Sequence, residues 1–490
     1  MSLSQRIAAE REAQKLWRPR SGNNGADVFW RVLENEFLAP GEQAARARRR
    51  LRGIVAYCAT AVPYYRDLFA RLKLRPEHVR GPEDLVLLPE LDKTAILKER
   101  RRLCPERLPA GEHDGGSNAS SGTTGAPVKV FRTLRTRQFD ILFVQRQLRW
   151  YRFDPAGSMA SLRVAENLAH VEPGRPIRLG ESVKAETWTH LGGNFVTGPN
   201  FGFDSRNPMT EKIAWLDQIR PAYIHTTTAQ LEHFALAMQE GPKLGSLRGL
   251  RAISEPLTPG MEARIEDTLG APVHISYGMD EIGWVATRCE AGRYHVHAER
   301  FIAEIVDEDG EPCAPGEFGR VLITDTANAA MPLLRYVTDD IAQAVEGPCP
   351  CGRTLPAIGP ITGRYSQTES LPAGSLEIAT ALREAMEWLP PDLSAPLREY
   401  QVRQTRAGNF ELHLVLAGTP APGFSEYIGA AWRRALAGGQ SGNPTLAIRA
   451  VAEIPRTPSL KFMHFVSEIT PPRVAKDYAP SAGDAAAPFC

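Results

Sequence analysis

The chain has 490 residues, 43% of them hydrophobic and 23% charged, which excludes disordered and collagen-like classes and, at about 150 residues per domain, predicts two or three domains. Lys plus Arg number 58 against 57 Asp plus Glu, a formal charge of +1, so nothing in the overall charge points to nucleic acid or an anionic membrane, and any polyanion must be gripped locally. No window offers about 18 uninterrupted apolar residues, and seven cysteines are too sparse for a disulfide framework, so a cytoplasmic protein that neither spans a membrane nor is secreted is expected.

The first hundred residues read as helical. Leu51, Ile54, Val55, Cys58 and Val62 follow the spacing of one buried helical stripe, and Pro63 ends that run. The arginines at 46, 48, 49, 50 and 52 lie mostly off the stripe and read as a solvated face. From about residue 120 to 345 short β-rich runs alternate with helical ones. Pro221 to His225, Leu250 to Ile253 and Val273 to Tyr277 are strand-like, while Ala229 to Met238 and Pro259 to Thr268 are helical, a pattern of βαβ units on a largely parallel sheet. Phe301 to Val306 and Gly319 to Thr324 read as strands of a more antiparallel, β-rich region. The last segment carries a helical pattern at Ile378 to Trp388, strands at Tyr400 to Thr405 and Phe410 to Leu416, and a helix around Tyr427 to Leu436. These suffice for a small α+β domain. From Pro471 a run rich in Ala, Pro, Ser, Gly and Asp reads as a disordered tail.

The most informative stretch is Ser120-Ser121-Gly122-Thr123-Thr124-Gly125-Ala126-Pro127. Such small residues contribute little to a core, but they leave amides and hydroxyls free to wrap a phosphate chain. No Lys-Ser or Lys-Thr follows at the Walker offset, so ATP binding here has a different geometry and an ADP-forming acid kinase is disfavoured.

This string resembles the signature loop of the phenylacetate-CoA ligase and CapK-like branch of the AMP-forming adenylating enzymes. The resemblance begins at Pro63-Tyr64-Tyr65-Arg66 and Leu88-Pro89 and continues in order to the C-terminal domain. It implies an α/β fold: a large N-terminal domain, residues 1–363, of parallel sheets flanked by helices, and a small mobile α+β domain, residues 364–470, followed by the tail. Tyr277-Gly278-Met279-Asp280-Glu281 is similar to the family's Y-G-x-T/S-E element, with Asp280 in place of the hydroxyl residue. The resemblance makes Tyr277 the adenine contact and Glu281 the magnesium residue, and Ser254-Glu255-Pro256 the loop approaching the adenine. Tyr336-Val337-Thr338-Asp339-Asp340 matches Y-R-T-G-D, giving Asp340 to the ribose hydroxyls, with Asp339 where the family has glycine. Gly363-Arg364 matches the junction whose arginine approaches the nucleotide, although Tyr365-Ser366-Gln367 replaces the usual acidic hinge. Pro455-Arg456-Thr457-Pro458-Ser459-Leu460-Lys461 resembles P-R-T-x-x-G-K, making Lys461 the catalytic lysine that bridges the substrate carboxylate and the α-phosphate.

Cys289, His295, Cys349 and Cys351 form a set with the donor types for a structural, tetrahedral zinc, as in some members of the resembled branch; ordinary reduced cysteines are the alternative. Phe139, Phe143, the Trp188 to Phe203 stretch with Phe195 and Phe201, and His225 to Thr228 with Thr227 are candidate walls of the acid pocket, and Arg132, Arg135 and Arg137 form a basic cluster just after the loop. The implied activity is ATP- and Mg²⁺-dependent adenylation of a small-molecule carboxylic acid, aromatic by resemblance, with release of pyrophosphate and transfer to a thiol, that of CoA. The alternative keeps adenylation but delivers the acyl group to a carrier protein or an amine, or transfers the adenylyl group itself to a small molecule.

Overall fold

The computed structural model describes residues 3–20, 34–119, 127–168, 177–238, 244–364, 386, 389, 393, 396–406, 409–416, 418–420, 422–437, 445–455 and 465–468. The front end is helical, with α1 (Leu3–Lys15), α2 (Pro40–Ala61), α3 (Pro63–Arg71) and α4 (Lys93–Glu99). The whole expected stripe of α2, from Leu51 to Val62, is buried. Pro63 both ends α2 and opens α3. Its ring forces Val62 into an extended conformation, and a proline at the first helical position forfeits no hydrogen bond. Most of the arginine face is solvated as expected, but Arg50 turns inward to donate to the carbonyl of Ala298.

Strands β1 (Asp114–Ala119) and β2 (Lys129–Thr133) pair antiparallel and lead into α5 (Leu134–Trp150). Then come β3 (Met159–Arg163), β4 (Ser182–Ala185), β5 (Asn200–Asp204), α6 (Met209–Ile219), β6 (Tyr223–Thr227), α7 (Thr228–Ala237), β7 (Gly249–Ile253), α8 (Pro259–Leu269) and β8 (Val273–Met279). After β8 follow β9 (Gly283–Arg288), β10 (Tyr294–Val296), β11 (Phe301–Val306), β12 (Phe318–Asp325), β13 (Tyr336–Gln343), β14 (Ala357–Ile358) and β15 (Ile361–Arg364). Among the described residues these form a nine-stranded sheet, ordered β14-β10-β9-β8-β7-β6-β3-β5-β4, and an antiparallel sheet β11-β12-β13-β15. Strands β5, β3, β6, β7 and β8 are parallel, as the βαβ alternation predicts. Thr227 and Thr258 cap α7 and α8 by accepting amide hydrogens from Gln230 and Met261.

Helix α5 is bound to the front end by a buried charge network. Arg146 pairs with Glu36 at 3.0 Å and Glu299 at 2.5 Å, and Arg149 with Glu10 and Glu36. Breaking one member would strand a buried charge, so the network fixes where α1 lies.

The C-terminal residues build a separate sheet, β18-β17-β16-β19, from β16 (Leu397–Arg406), β17 (Asn409–Leu416), β18 (Thr445–Ala450) and β19 (Phe465–Ser467), with α9 (Phe424–Ala437). Its core holds Tyr400, Val402, Phe410, Leu412, Phe424 and Trp432. The expected helix at Ile378 to Trp388 lies, apart from Met386, outside the described residues, as does the tail from 471. No described helix is long and apolar enough to cross a membrane.

Candidate active site and metal centre

The parallel strands end at one edge of the sheet, where α/β folds present ligands to loops. Strand β8 carries Tyr277 there and runs on into the Asp280-Glu281 turn before β9. Gly278 is required by space, since a Cβ would sit 2.7 Å from the Gly283 carbonyl. The Tyr277 hydroxyl donates to Asp340 Oδ2 at 2.7 Å, and the Tyr336 hydroxyl donates to Glu281 Oε1 at 2.7 Å. Two tyrosine–carboxylate bonds thus cross between β8 with its turn and β13. Each strand contributes one tyrosine and receives one on its acid. In β13 Asp340 lies opposite Arg364 of β15 in register. Burial and the neighbouring Glu281 push the Tyr336 phenol well up, so it stays a donor.

The amide of Asn118 donates to the Asp280 carbonyl at 3.0 Å, joining the end of β1 to this turn. The expected phosphate loop, Ser120, Ser121, Gly122, Thr123, Thr124 and Gly125, lies outside the described residues; the described chain stops at Ala119, one residue beyond that contact. Lys461 is outside them too, and of Arg364 the backbone alone is described.

Ser254 leaves β7 with φ of 74°, turning the chain so that Glu255 Oε2 accepts the Ala229 amide at 2.8 Å, and the Glu255 carbonyl accepts the Thr228 hydroxyl at 2.9 Å. Pro256 follows in the same loop. Asp339, which stands where the resembled pattern has glycine, takes φ of 71°. The turn is therefore kept, at the strain a non-glycine bears in the left-handed region.

Of the candidate pocket walls, Phe139, Phe143 and Phe201 belong to or pack on the main core, whereas Phe195 lies in a second cluster. Phe143 is fully buried and stacks on His297, Phe139 stacks on Phe143, and Phe195 packs edge-on against Trp17 in a second core cluster. Phe201 packs against the main core, and the Thr227 hydroxyl is engaged as the α7 cap. The basic cluster disperses: Arg132 is buried against Asp140, and Arg135 reaches Glu112. A polar row of which the sequence pointed only to His225 crosses the sheet instead. Ser161, His225, Arg251 and His274 occupy matching positions on β3, β6, β7 and β8, hence one face. The available signal was a histidine or arginine inside the otherwise apolar runs of β6, β7 and β8.

Cys289, His295, Cys349 and Cys351 come together, with ligating atoms all within 4.8 Å of one another. Cys289 Sγ is 3.6 Å from Cys349 Sγ, and Cys351 Sγ is 3.2 Å from His295 Nε2. Zinc–sulfur bonds of about 2.3 Å in a tetrahedron place sulfurs about 3.8 Å apart, so the set fits that ion. His295 Nδ1 lies 2.8 Å from the Leu355 carbonyl, a partner that leaves Nε2 for a metal. His297 faces away, between Arg146 and Thr287. Arg353 donates its amide to Cys351 Sγ, lies over Trp150, and pairs with Glu10 at 2.8 Å, tying the knuckle to α1.

No protein-family model matches the sequence. Phenylacetate-coenzyme A ligase of Thermus thermophilus is 31% identical over 342 residues, 68% of this chain and 72% of that protein. The Escherichia coli enzyme of the same name is 28% identical over 355 residues, 68% of this chain and 75% of that protein. Among solved structures, 2-hydroxyisobutyryl-CoA ligase with its acyl-adenylate superposes with a TM-score of 0.65 at 19% identity, covering 89% of this chain and 92% of that one. An anthranilate CoA ligase bound to anthranoyl-AMP gives 0.51 at 14% identity, over 87% and 79%. These likenesses bear out the expected fold.

Proposed function

Because the chain belongs to the phenylacetate-coenzyme A ligase family, we propose that it activates a small carboxylic acid with ATP and then forms the coenzyme A thioester. In the first step a carboxylate oxygen attacks the α-phosphorus and the bond to the β-phosphate oxygen breaks, giving acyl-adenylate and pyrophosphate. In the second the thiolate attacks the acyl carbon and AMP leaves. The observation that carries this reading is the crossed pair of bonds, Tyr277 to Asp340 and Tyr336 to Glu281, at the C-terminal edge of the parallel strands. Asp340 is the carboxylate assigned to the ribose hydroxyls, whose protons a fixed carboxylate can accept. Glu281 keeps its second oxygen for Mg²⁺, which when bound neutralises triphosphate charge. Asn118 ties the end of β1 to this turn, and the Ser120 to Gly125 string that follows in the sequence has the uncharged amides that suit a phosphate chain.

By its resemblance to the family string, Lys461 bridges the acid carboxylate and the α-phosphate, and residues 364–470 form a small domain that moves about the Arg364 region between the steps. Cys289, His295, Cys349 and Cys351 hold a structural zinc, since four protein ligands leave no open position. A cytoplasmic location agrees with thiols kept reduced for a metal.

Substrate-dependent ATP–pyrophosphate exchange tests the first step. Exchange with at least one acid of an aryl and short-acyl panel is expected, followed by acyl-CoA and AMP when CoA is added. ADP as the product, or no exchange with any acid by folded protein, refutes adenylation; AMP release without acyl-CoA refutes the acceptor.

A further inference from the structure

Four arginines rank among the largest fully buried side chains. Arg146, Arg149 and Arg300 each face two carboxylates. Arg251 differs. Among the described residues it pairs with no carboxylate: one nitrogen donates to Gln147 Oε1 at 2.8 Å, another lies 3.3 Å from His225 Nδ1, and the guanidinium sits 4.7 Å over the Trp284 ring. Its Nε hydrogen finds no acceptor, nor does the side-chain amide nitrogen of Gln147, and His274 Nε2 in the adjacent strand also lacks a partner.

A guanidinium sealed from water with neutral partners alone is a costly arrangement, because desolvation is not offset by any opposite charge. Burial, with Arg163 nearby, lowers Arg251 to about 10. Burial first, then Arg251, His190 and Arg163, holds His225 well below its usual range, so its ring is neutral and cannot supply the anion. Two N–H groups of the cluster thus lack an acceptor beside one uncompensated positive charge. Both deficits are met by one group, an oxyanion.

Position says what would bring it. Arg251 lies two residues before the end of β7, about 6.6 Å along the strand from Ile253. Ser254 and the Tyr277–Glu281 turn, where the adenylation chemistry is proposed, lie beyond that end. Gln147 and Trp284 hold the guanidinium from α5 and β9.

Building on the ligase reading, we propose that Arg251, with Gln147 and His225, binds a second oxyanion at the end of the substrate remote from its reacting carboxyl, so that the acid is a dicarboxylate rather than plain phenylacetate. Arg251 is then a specificity residue of this chain, and its counter-ion arrives with each substrate.

The test compares phenylacetate with 4-carboxyphenylacetate and aliphatic dicarboxylates in pyrophosphate exchange, with wild-type enzyme and Arg251→Met. A dicarboxylate is expected to be the better wild-type substrate. Arg251→Met should cost it on the order of 100-fold in kcat/KM, the scale for truncating one partner of a buried charge pair, and leave phenylacetate within about threefold. The substitution should also leave the ligand-free Tm equal or higher, since it removes an unpaired charge. Equal losses for both acids, wild-type preference for phenylacetate, or a lower ligand-free Tm overturns the proposal. Should Arg251→Met not fold, Gln147→Leu carries the same comparison, with an expected selective loss of about tenfold; equal effects overturn it. If no acid supports exchange, the ligase reading fails and the site is judged by Tm alone. A dicarboxylate that raises Tm in wild type but not in Arg251→Met upholds the oxyanion site, and no such shift overturns it.

Discussion

Tyr336→Phe isolates one hydrogen bond at the proposed magnesium residue. Tyr336 is fully buried and its hydroxyl donates to the buried Glu281 at 2.7 Å, so phenylalanine fills the same space and removes the donor alone. A bond to a charged acceptor contributes about 1.5–3 kcal/mol, and the carboxylate left behind has no water to replace it. For a domain this large that corresponds to a fall in Tm of a few degrees, roughly 2–5 °C. Glu281 would also lose the contact that fixes its orientation toward Mg²⁺. At 1.4 kcal/mol per factor of ten, the same energy expressed at the transition state is about 10- to 100-fold in kcat/KM for ATP–pyrophosphate exchange. Raising Mg²⁺ should restore part of the rate, because a misoriented carboxylate still binds the ion at higher concentration. Unfolding followed by circular dichroism and exchange measured across a Mg²⁺ titration give both numbers. A variant with wild-type Tm and a wild-type Mg²⁺ profile would refute the idea that Tyr336 holds Glu281 for the metal.

Lys461→Ala should slow adenylation on the order of 10² to 10⁴-fold while ATP binding, read by fluorescence titration, changes far less; an unimpaired exchange rate would remove Lys461 from the mechanism. Wild-type protein purified without chelator should carry one zinc per chain by atomic absorption, and Cys351→Ser should lose it and expose the α1 region to limited proteolysis through the Arg353–Glu10 pair. Equal zinc content in both proteins would dismiss the site. Glu304 is raised to about 7, chiefly by burial and against the pull of Arg335. Its folded value lies above its unfolded one, so its stabilising contribution is full below about pH 4.5 and lost as pH climbs to about 7. Glu304→Gln should therefore gain on wild type by up to about 3 kcal/mol from pH 5 to pH 8, and parallel Tm–pH curves for the two would contradict this.

What could be read from the chain and what could not divides along physical lines. The strand that carries Tyr277 was legible because apolar runs of four to eight residues flanked by helical patterns have few other solutions, whereas the polar strand that carries Tyr336 showed only as a motif. The bonds between them were not legible, since Tyr277 meets Asp340 across 63 residues and Tyr336 meets Glu281 across 55, and pairing over such distances is set by how two sheets pack. The roles of buried charged residues were not legible for a related reason. An arginine in a half-exposed strand is a solvated edge residue, but both faces of a parallel sheet are covered, so Arg251 is buried. Arg146 and Arg149 in α5 were equally opaque, because their counter-ions Glu36 and Glu10 come from the distant front end. Where the counter-ion lies within the chain, such an arginine is a clamp between elements. Arg251 has none among the described residues, and this leaves the charge available to a ligand.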